Sequence, residues 1–236
     1  MKPQALAIRA DNLTAILKNL GELYPELKTR TQKTETGEAH TLEFQTEDQA
    51  ATFMELLNVN QNLLYFAPRE HIETDEDFRQ LLPYVLVYGS DEGSVLGYNR
   101  PGKGKGEDRL KGAFSIGFGG HVEIKDWYMD MSATDLLSAC ADRELAEELG
   151  ENACQQVPRL PSAILIDDTN PVGRVHLGLV YQTTVKGEFN IDSTEVENLV
   201  WLTRKEVSEG DRSKTQNPEN WTAMLLNIPL PGVVTT

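Results

Sequence analysis

SATDLLSACADRELAEELG, Ser132 to Gly150, decides the fold of this chain. Ser132 with Asp135 three residues on fits a capping box, no proline or glycine interrupts Ala133 to Leu149, and Gly150 supplies a stop. The pattern predicts a helix of about four turns. Ala133, Leu136, Leu137, Cys140 and Ala141 recur at the i, i+3, i+4, i+7, i+8 spacing that a helix buries. The next positions of the same stripe carry Glu144, Glu147 and Glu148, with Leu145 and Leu149 keeping the flank apolar. At about 100° per residue, Glu144 and Glu148 lie one above the other with Glu147 to one side. Three carboxylates at a helix C-terminus sit at the wrong pole of its dipole and repel one another unless a cation neutralises them. A solvated acidic helix end is the plainer alternative. It would expose the apolar stripe that the glutamates continue, so a metal site is the stronger expectation. Hard oxygen ligands at this spacing suit Mg²⁺, with Mn²⁺ as the substitute.

The 236 residues allow one large domain, or an ordinary domain plus a small one, and the composition is that of a globular protein. A formal net charge of -15 argues against a broad footprint on nucleic acid and leaves room for a small anionic ligand that brings a cation. The opening MKPQALAIRADNL has its apolar run cut by Arg9 and Asp11, so neither a secretory segment nor a membrane span is expected there. The expected setting is cytoplasmic. Cys140 and Cys154 form no CxxC pair and read as reduced thiols, Cys140 on the apolar side of the helix.

Two regions differ in pattern. Residues 1–65 run ALAI, NLTAILKNLGELY, the hairpin-like TRTQKTETGEAHTLEF and DQAATFMELL, a small α+β unit without a chemical constellation. Residues 66–236 carry the strand-like runs LLPYVLVYG, VLGYNR, FSIGFGGHV, AILIDD, RVHLGLVYQTTV and NLVWL, with further helix expected near the carboxyl end. This predicts an α/β fold with a mixed sheet and packed helices. PGKGKGED, residues 101–108, lacks the order of a P-loop and reads as a solvated hairpin loop; the tail NIPLPGVVTT reads as irregular.

RELAEELG together with GGHVE, Gly119 to Glu123, resembles the signature of the Nudix hydrolases: Gly, five residues, Glu, seven residues, Arg-Glu-aliphatic-x-Glu-Glu-x-Gly. With seven residues left between it and Arg143, the upstream acidic position is Asp135, and fourteen residues rather than five separate it from Gly120. On that count nine residues are inserted around VEIKDWYMDMSA, between Gly120 and Asp135. APREHIETDEDFRQLLPYVLV, FSIGFGGHVE and DDTNPVGRVHLGLVY are similar to a bacterial and phage group of Nudix proteins described as predicted phosphoesterases. The resemblance covers residues 65–225 and implies a Nudix-type α/β/α sandwich with a mixed sheet, preceded by the small α+β unit.

It also implies Mg²⁺-dependent hydrolysis of a phosphoanhydride in a nucleoside diphosphate derivative. Glu144, Glu148 and Glu147 would be metal ligands together with the Gly119 carbonyl. Glu147 or Glu148 would take the proton of the attacking water, and Arg143 would orient the glutamates. Glu195 or Glu197 would add a late acidic ligand, and Glu123 a further one or a simple ion pair. His121 and His176 alternate with apolar residues on strands and read first as structural histidines, second as substrate contacts. Tyr98, Phe118 and Trp201 read first as core and second as stacking partners of a base. The expected partner is a small nucleotide substrate, with no nucleic acid and no membrane, and a homodimer is left open. A non-catalytic nucleotide-binding or sensor module on the same fold is the alternative function, and an acidic mimic of nucleic acid a distant third.

Overall fold

In the computed structural model, residues 3–90, 93–101, 111–209 and 214–226 are described below. Most of PGKGKGED, residues 102–108, and the tail from 227 lie outside the described residues. The elements follow in the order β1 (Gln4–Arg9), α1 (Ala10–Leu23), β2 (Lys28–Lys33), β3 (Glu38–Glu43), α2 (Glu47–Val59), β4 (Leu64–Pro68), α3 (Arg69–Ile72), β5 (Phe78–Tyr88) and β6 (Ser94–Asn99). After them come β7 (Phe114–Ser115), β8 (Gly117–Phe118), α4 (Ala133–Leu149), β9 (Ala163–Asp167), β10 (His176–Thr184), β11 (Glu197–Thr203), α5 (Arg204–Glu209) and α6 (Asn220–Leu225).

The strands form one mixed sheet in the order β11-β6-β5-β10-β9-β3-β2. β5 is its axis. It pairs in parallel with β10 from Gln80 to Tyr88. Along its other edge it pairs first with β1 and then with β8, both antiparallel. Parallel strands are buried on both faces, which explains why LLPYVLVY and VHLGLVY are nearly continuous apolar runs.

One face of the sheet is covered by α1, α2 and α4. Leu13, Ile16 and Leu20 of α1, Phe53, Met54 and Leu57 of α2, and Leu136, Leu137, Cys140 and Leu145 of α4 share a single core with Leu81, Val85 and Leu177. The other face is covered near the carboxyl end: Tyr84, Leu86, Val180 and Leu202 pack with Val207 of α5 and with Met224 and Leu225 of α6. Helices on both faces of a mixed sheet give the expected three-layer sandwich.

Residues 1–65 share this sheet. β3 pairs with β9 over five residue pairs from Ala39↔Asp167 to Glu43↔Ala163, and β1 pairs with β5. Their helices α1 and α2 supply the same core as α4. A chain beginning at residue 66 leaves one edge of β9 and the Phe78–Gln80 edge of β5 that faces β1 unpaired, and strips that core of two helices. It is expected to bind a hydrophobic dye and to lose the sharp thermal transition of the full chain. A sharp calorimetric transition in the truncated chain would show that the shared sheet is dispensable.

Candidate active site

α4 begins and ends as its sequence dictates. The Ser132 hydroxyl accepts from the Asp135 N–H, and Gly150 ends the helix at φ 102°. Beyond it, the backbone N–H of Asn190 donates to the Leu149 carbonyl at 2.7 Å and that of Asp192 to the Glu148 carbonyl at 3.1 Å, so a returning loop satisfies the last turn. The apolar stripe is buried as expected: Ala133, Leu137, Cys140 and Ala141 are fully buried and Leu136 nearly so.

The three glutamates occupy three depths. Glu148 is 5% exposed, Glu144 has 15% of its side chain exposed, and Glu147 has 53%. Only Glu144 and Glu148 therefore continue the inward stripe, and Glu147 stands at its solvent margin. The Gly119 N–H donates to the Glu148 carboxylate, whereas Glu148 Oε2 has no hydrogen-bond partner among the described residues. Burial pushes the Glu148 carboxyl well above the usual range, opposed by the Arg100 charge and reinforced by Glu144 and Glu195. Burial also raises Glu144, with Arg143 opposing it.

The glycine pair lies directly against this carboxylate cluster. Gly119 has φ 145°, and a Cβ there would meet the Pro83 carbonyl oxygen at 2.1 Å. A Cβ at Gly120 would meet Glu144 Oε1 at 2.7 Å and Oε2 at 2.9 Å. The two halves of the sequence motif thus touch in space.

Arg143 joins them. Its Nη1 donates to Glu144 Oε1 at 2.7 Å and to Glu147 Oε2 at 3.1 Å, and its Nη2 to the His121 carbonyl at 3.1 Å. A bidentate pair completes the fork: Nε to Asp126 Oδ1 at 2.5 Å and Nη2 to Asp126 Oδ2 at 2.9 Å. Asp126 is 5% exposed. This corrects the count made from Arg143 backwards. Five residues separate Asp126 from Gly120, the signature's own spacing, with Asp in place of Glu. The extra residues fall between Asp126 and Arg143. Asp135 instead bonds the Ser132 hydroxyl at 2.6 Å and pairs with Arg159 at the start of α4. The forward spacing from Gly120 was the signal for Asp126, and it is legible once Asp is allowed for Glu.

Among the remaining positions, Glu195 is half-buried and electrostatically coupled to Glu148, while Glu197 is exposed on β11. Glu123 caps the short 3-10 turn Ile124–Asp126 and pairs with Lys125 at 3.5 Å, and Lys125 reaches Glu147 at the same distance. Tyr98 and Phe118 are fully buried and stack at 4.7 Å between centroids. Trp201 is 38% exposed and lies 6.3 Å from Phe189. Arg100 carried no sequence signal. It is anchored by buried Glu219 at 3.0 Å, whose other oxygen accepts from Ser115 and Tyr84 at 2.6 and 2.9 Å.

Among the described residues, no three acidic, cysteine or histidine side chains already converge as a complete ligand set. Arg143 draws Glu144 and Glu147 onto itself. The donors nevertheless fit a hard cation: the cluster offers carboxylate oxygens, and one of them, Glu148 Oε2, is buried without a partner. Both cysteines are free, and no described helix is long and apolar enough to cross a membrane.

A three-layer sandwich with this glycine pair and glutamate helix is a Nudix fold. The structure of Tm1382, described as a candidate Nudix hydrolase, superposes with a TM-score of 0.62 at 19% identity, covering 95% of this chain and 98% of that one. No family model matches the sequence. Protein YmaB of Bacillus subtilis (strain 168) is 32% identical over 162 residues, which is 68% of this chain and 75% of YmaB. The chain belongs to the family of YmaB.

Two substitutions separate the roles of the aspartates. Asp126→Ala leaves a largely buried guanidinium without its bidentate partner and is expected to cost about 3–5 kcal/mol in denaturant unfolding. Asp135→Ala loses a capping contact and is expected to cost about 1 kcal/mol. Equal costs would remove Asp126 from its assigned place. Glu148→Gln, which removes a buried charge, is expected to raise the melting temperature in EDTA by about 2–4 °C. A fall of that size would show that the charge is compensated in the metal-free protein.

Proposed function

We propose that this chain is a Mg²⁺-dependent Nudix phosphohydrolase that cleaves a phosphoanhydride bond in a nucleoside diphosphate derivative. The observation that carries the proposal is Glu148, buried with an unpartnered carboxylate oxygen, one helical turn from Glu144 and bonded by Gly119. Glu144, Glu147, Glu148 and the Gly119 carbonyl would hold the metal. When bound, a divalent ion polarises phosphate oxygens and lowers the pKa of the attacking water.

The chain's own residues supply the rest. Water attacks phosphorus as the bridging P–O bond breaks, the bridging oxygen leaves with the second phosphate, and a carboxylate takes the water's proton. Glu147, at the solvent margin, and Glu148, whose burial makes it more basic, are the two positions for that proton. Arg143 is a positioning residue: its fork to Asp126, Glu144 and Glu147 fixes the carboxylates relative to the glycine pair. The expected setting is cytoplasmic, and the two free thiols are compatible with it.

The full chain with Mg²⁺ is expected to release product from at least one of a panel of nucleoside triphosphates, dinucleoside polyphosphates, sugar nucleotides, ADP-ribose and NADH. EDTA should abolish turnover. Glu148→Gln should lower kcat by at least about a hundredfold while the chain stays folded. Binding of a panel member without cleavage would favour the non-catalytic sensor, and a fully active Glu148→Gln variant would sink the ligand assignment.

A further inference from the structure

Arg100 stands beside the carboxylate cluster, and the reaction described above makes no use of it. It follows β6, where the backbone fixes its place: its N–H donates to the Ala113 carbonyl at 2.9 Å, and its carbonyl accepts from the Gly112 N–H at the same distance. The guanidinium lies 5.8 Å from the centre of the Tyr98 ring. Tyr98 in turn stacks on Phe118 and donates from its hydroxyl to the Gly117 carbonyl at 3.3 Å. The residue after Phe118 is Gly119, whose N–H bonds Glu148. Arg100 is thus packed onto the strand end that carries the glycine pair, and the carboxylates that act on it most strongly are Glu219 and Glu148.

Its hydrogen bonding is one-sided. Nε donates to Glu219 Oε2 at 3.0 Å, and neither Nη group has a hydrogen bond among the described residues. The side chain keeps 22% of its surface exposed, so the open donors are within reach of a ligand. A guanidinium that served only to neutralise Glu219 would offer that carboxylate its paired fork. Instead the second Glu219 oxygen is taken by Ser115 and Tyr84, at 2.6 and 2.9 Å. Buried Glu219 therefore grips the arginine by one edge and leaves the other free.

The other cations in contact with the cluster are already engaged. Arg143 gives all three of its nitrogens to Asp126, Glu144, Glu147 and the His121 carbonyl. Lys125 lies 3.5 Å from both Glu123 and Glu147. A metal ion held by carboxylates takes only some of a diphosphate's oxygens, and a planar pair of N–H groups matches the geometry of the rest.

We propose that Arg100 binds the diphosphate of the substrate, its Nη groups donating to phosphate oxygens beside Glu148 while Glu219 holds Nε. The proposal rests on the hydrolase reading for the diphosphate, and binding tests it without turnover.

Methylenediphosphonate, whose P–C–P bridge cannot be hydrolysed, is titrated calorimetrically into the full chain with saturating Mg²⁺. Arg100→Gln alone would strand the buried Glu219 charge, so it is combined with Glu219→Gln, which removes both charges together. The double variant is expected to bind the bisphosphonate about tenfold or more weakly than the native chain. Arg100→Lys keeps a charge beside Glu219 but loses the fork; it guards against a folding defect in the double variant and is also expected to bind less tightly than the native chain. Glu219→Gln alone keeps Arg100 and is expected to lose less than the double variant. Affinity for Mn²⁺ without any anion, followed by the EPR signal of the free ion, is expected to stay the same or rise in the double variant, because a nearby positive charge has gone. Four results overturn the proposal: no binding by the native chain, native affinity in both Arg100 variants, equal losses in Glu219→Gln and the double variant, or a parallel fall in Mn²⁺ affinity. The last would make Arg100 a support for Glu148 and not a phosphate contact. A chain that binds the bisphosphonate through Arg100 yet cleaves no panel member defeats the hydrolase reading alone.

Discussion

The guanidinium of Arg143 is the interaction on which the rest of the site depends. Its donors reach a loop carboxylate, two helix carboxylates and the His121 carbonyl, so loop, strand and helix are fixed at one point. The bidentate pair with Asp126 gives that point its direction, because a planar fork admits one orientation of the carboxylate. The helix therefore presents Glu144 to Gly120 without help from the exposed remainder of the extended loop. Ile124, Trp127, Tyr128 and Met129 all stay exposed there.

The amino-terminal region has a structural bearing on the same point. The Leu6 N–H donates to the Val122 carbonyl at 2.9 Å, and Ala5 bridges Glu123. These contacts fall immediately after His121, so β1 braces the segment that carries the glycine pair. From the other side, the Gln61 side chain donates to the Met131 carbonyl at 2.8 Å, and Asn58 bonds Thr134 at the head of α4. None of the described residues up to 65 is among the carboxylates and arginine of the cluster, yet they hold both ends of the loop between Asp126 and α4. That is a reason for the region to share the sheet rather than stand apart.

Much of this was legible because the signals are local. The stripe from Ala133 to Ala141 and the caps at Ser132 and Gly150 depend on neighbours within the helix, and each stands where periodicity put it. The apolar runs of β5 and β10 announced buried strands for the same reason. What escaped depends on distant pairing. Asp126 was hidden by counting the motif from one end, and Asp135 stood at the right distance from Arg143 for the wrong reason, as part of a helix cap. Arg100 and Glu219 are 119 residues apart and bear no common period, so only the fold brings them together. The depth of Glu147 was misjudged because a stripe at 3.6 residues per turn drifts, and the last turn splits its positions between inside and margin.

The glycine pair also divides two kinds of chemistry that could not share one environment. On the α4 side, carboxylates repel one another and call for a cation; on the other side, His121 is kept neutral by burial beside Arg69 and His176. A side chain at Gly119 would collide with the Pro83 carbonyl, and one at Gly120 would push the Glu144 carboxylate aside, so bare backbone separates the two sides. It is thin enough for one residue, His121, to serve both sides: its carbonyl holds Arg143 and its ring joins His176. With a net charge of -15, the chain repels anions at long range. The carboxylates of α4 stand within that negative field, and the Arg143 guanidinium placed among them is the charge that lets Glu144 and Glu147 sit side by side.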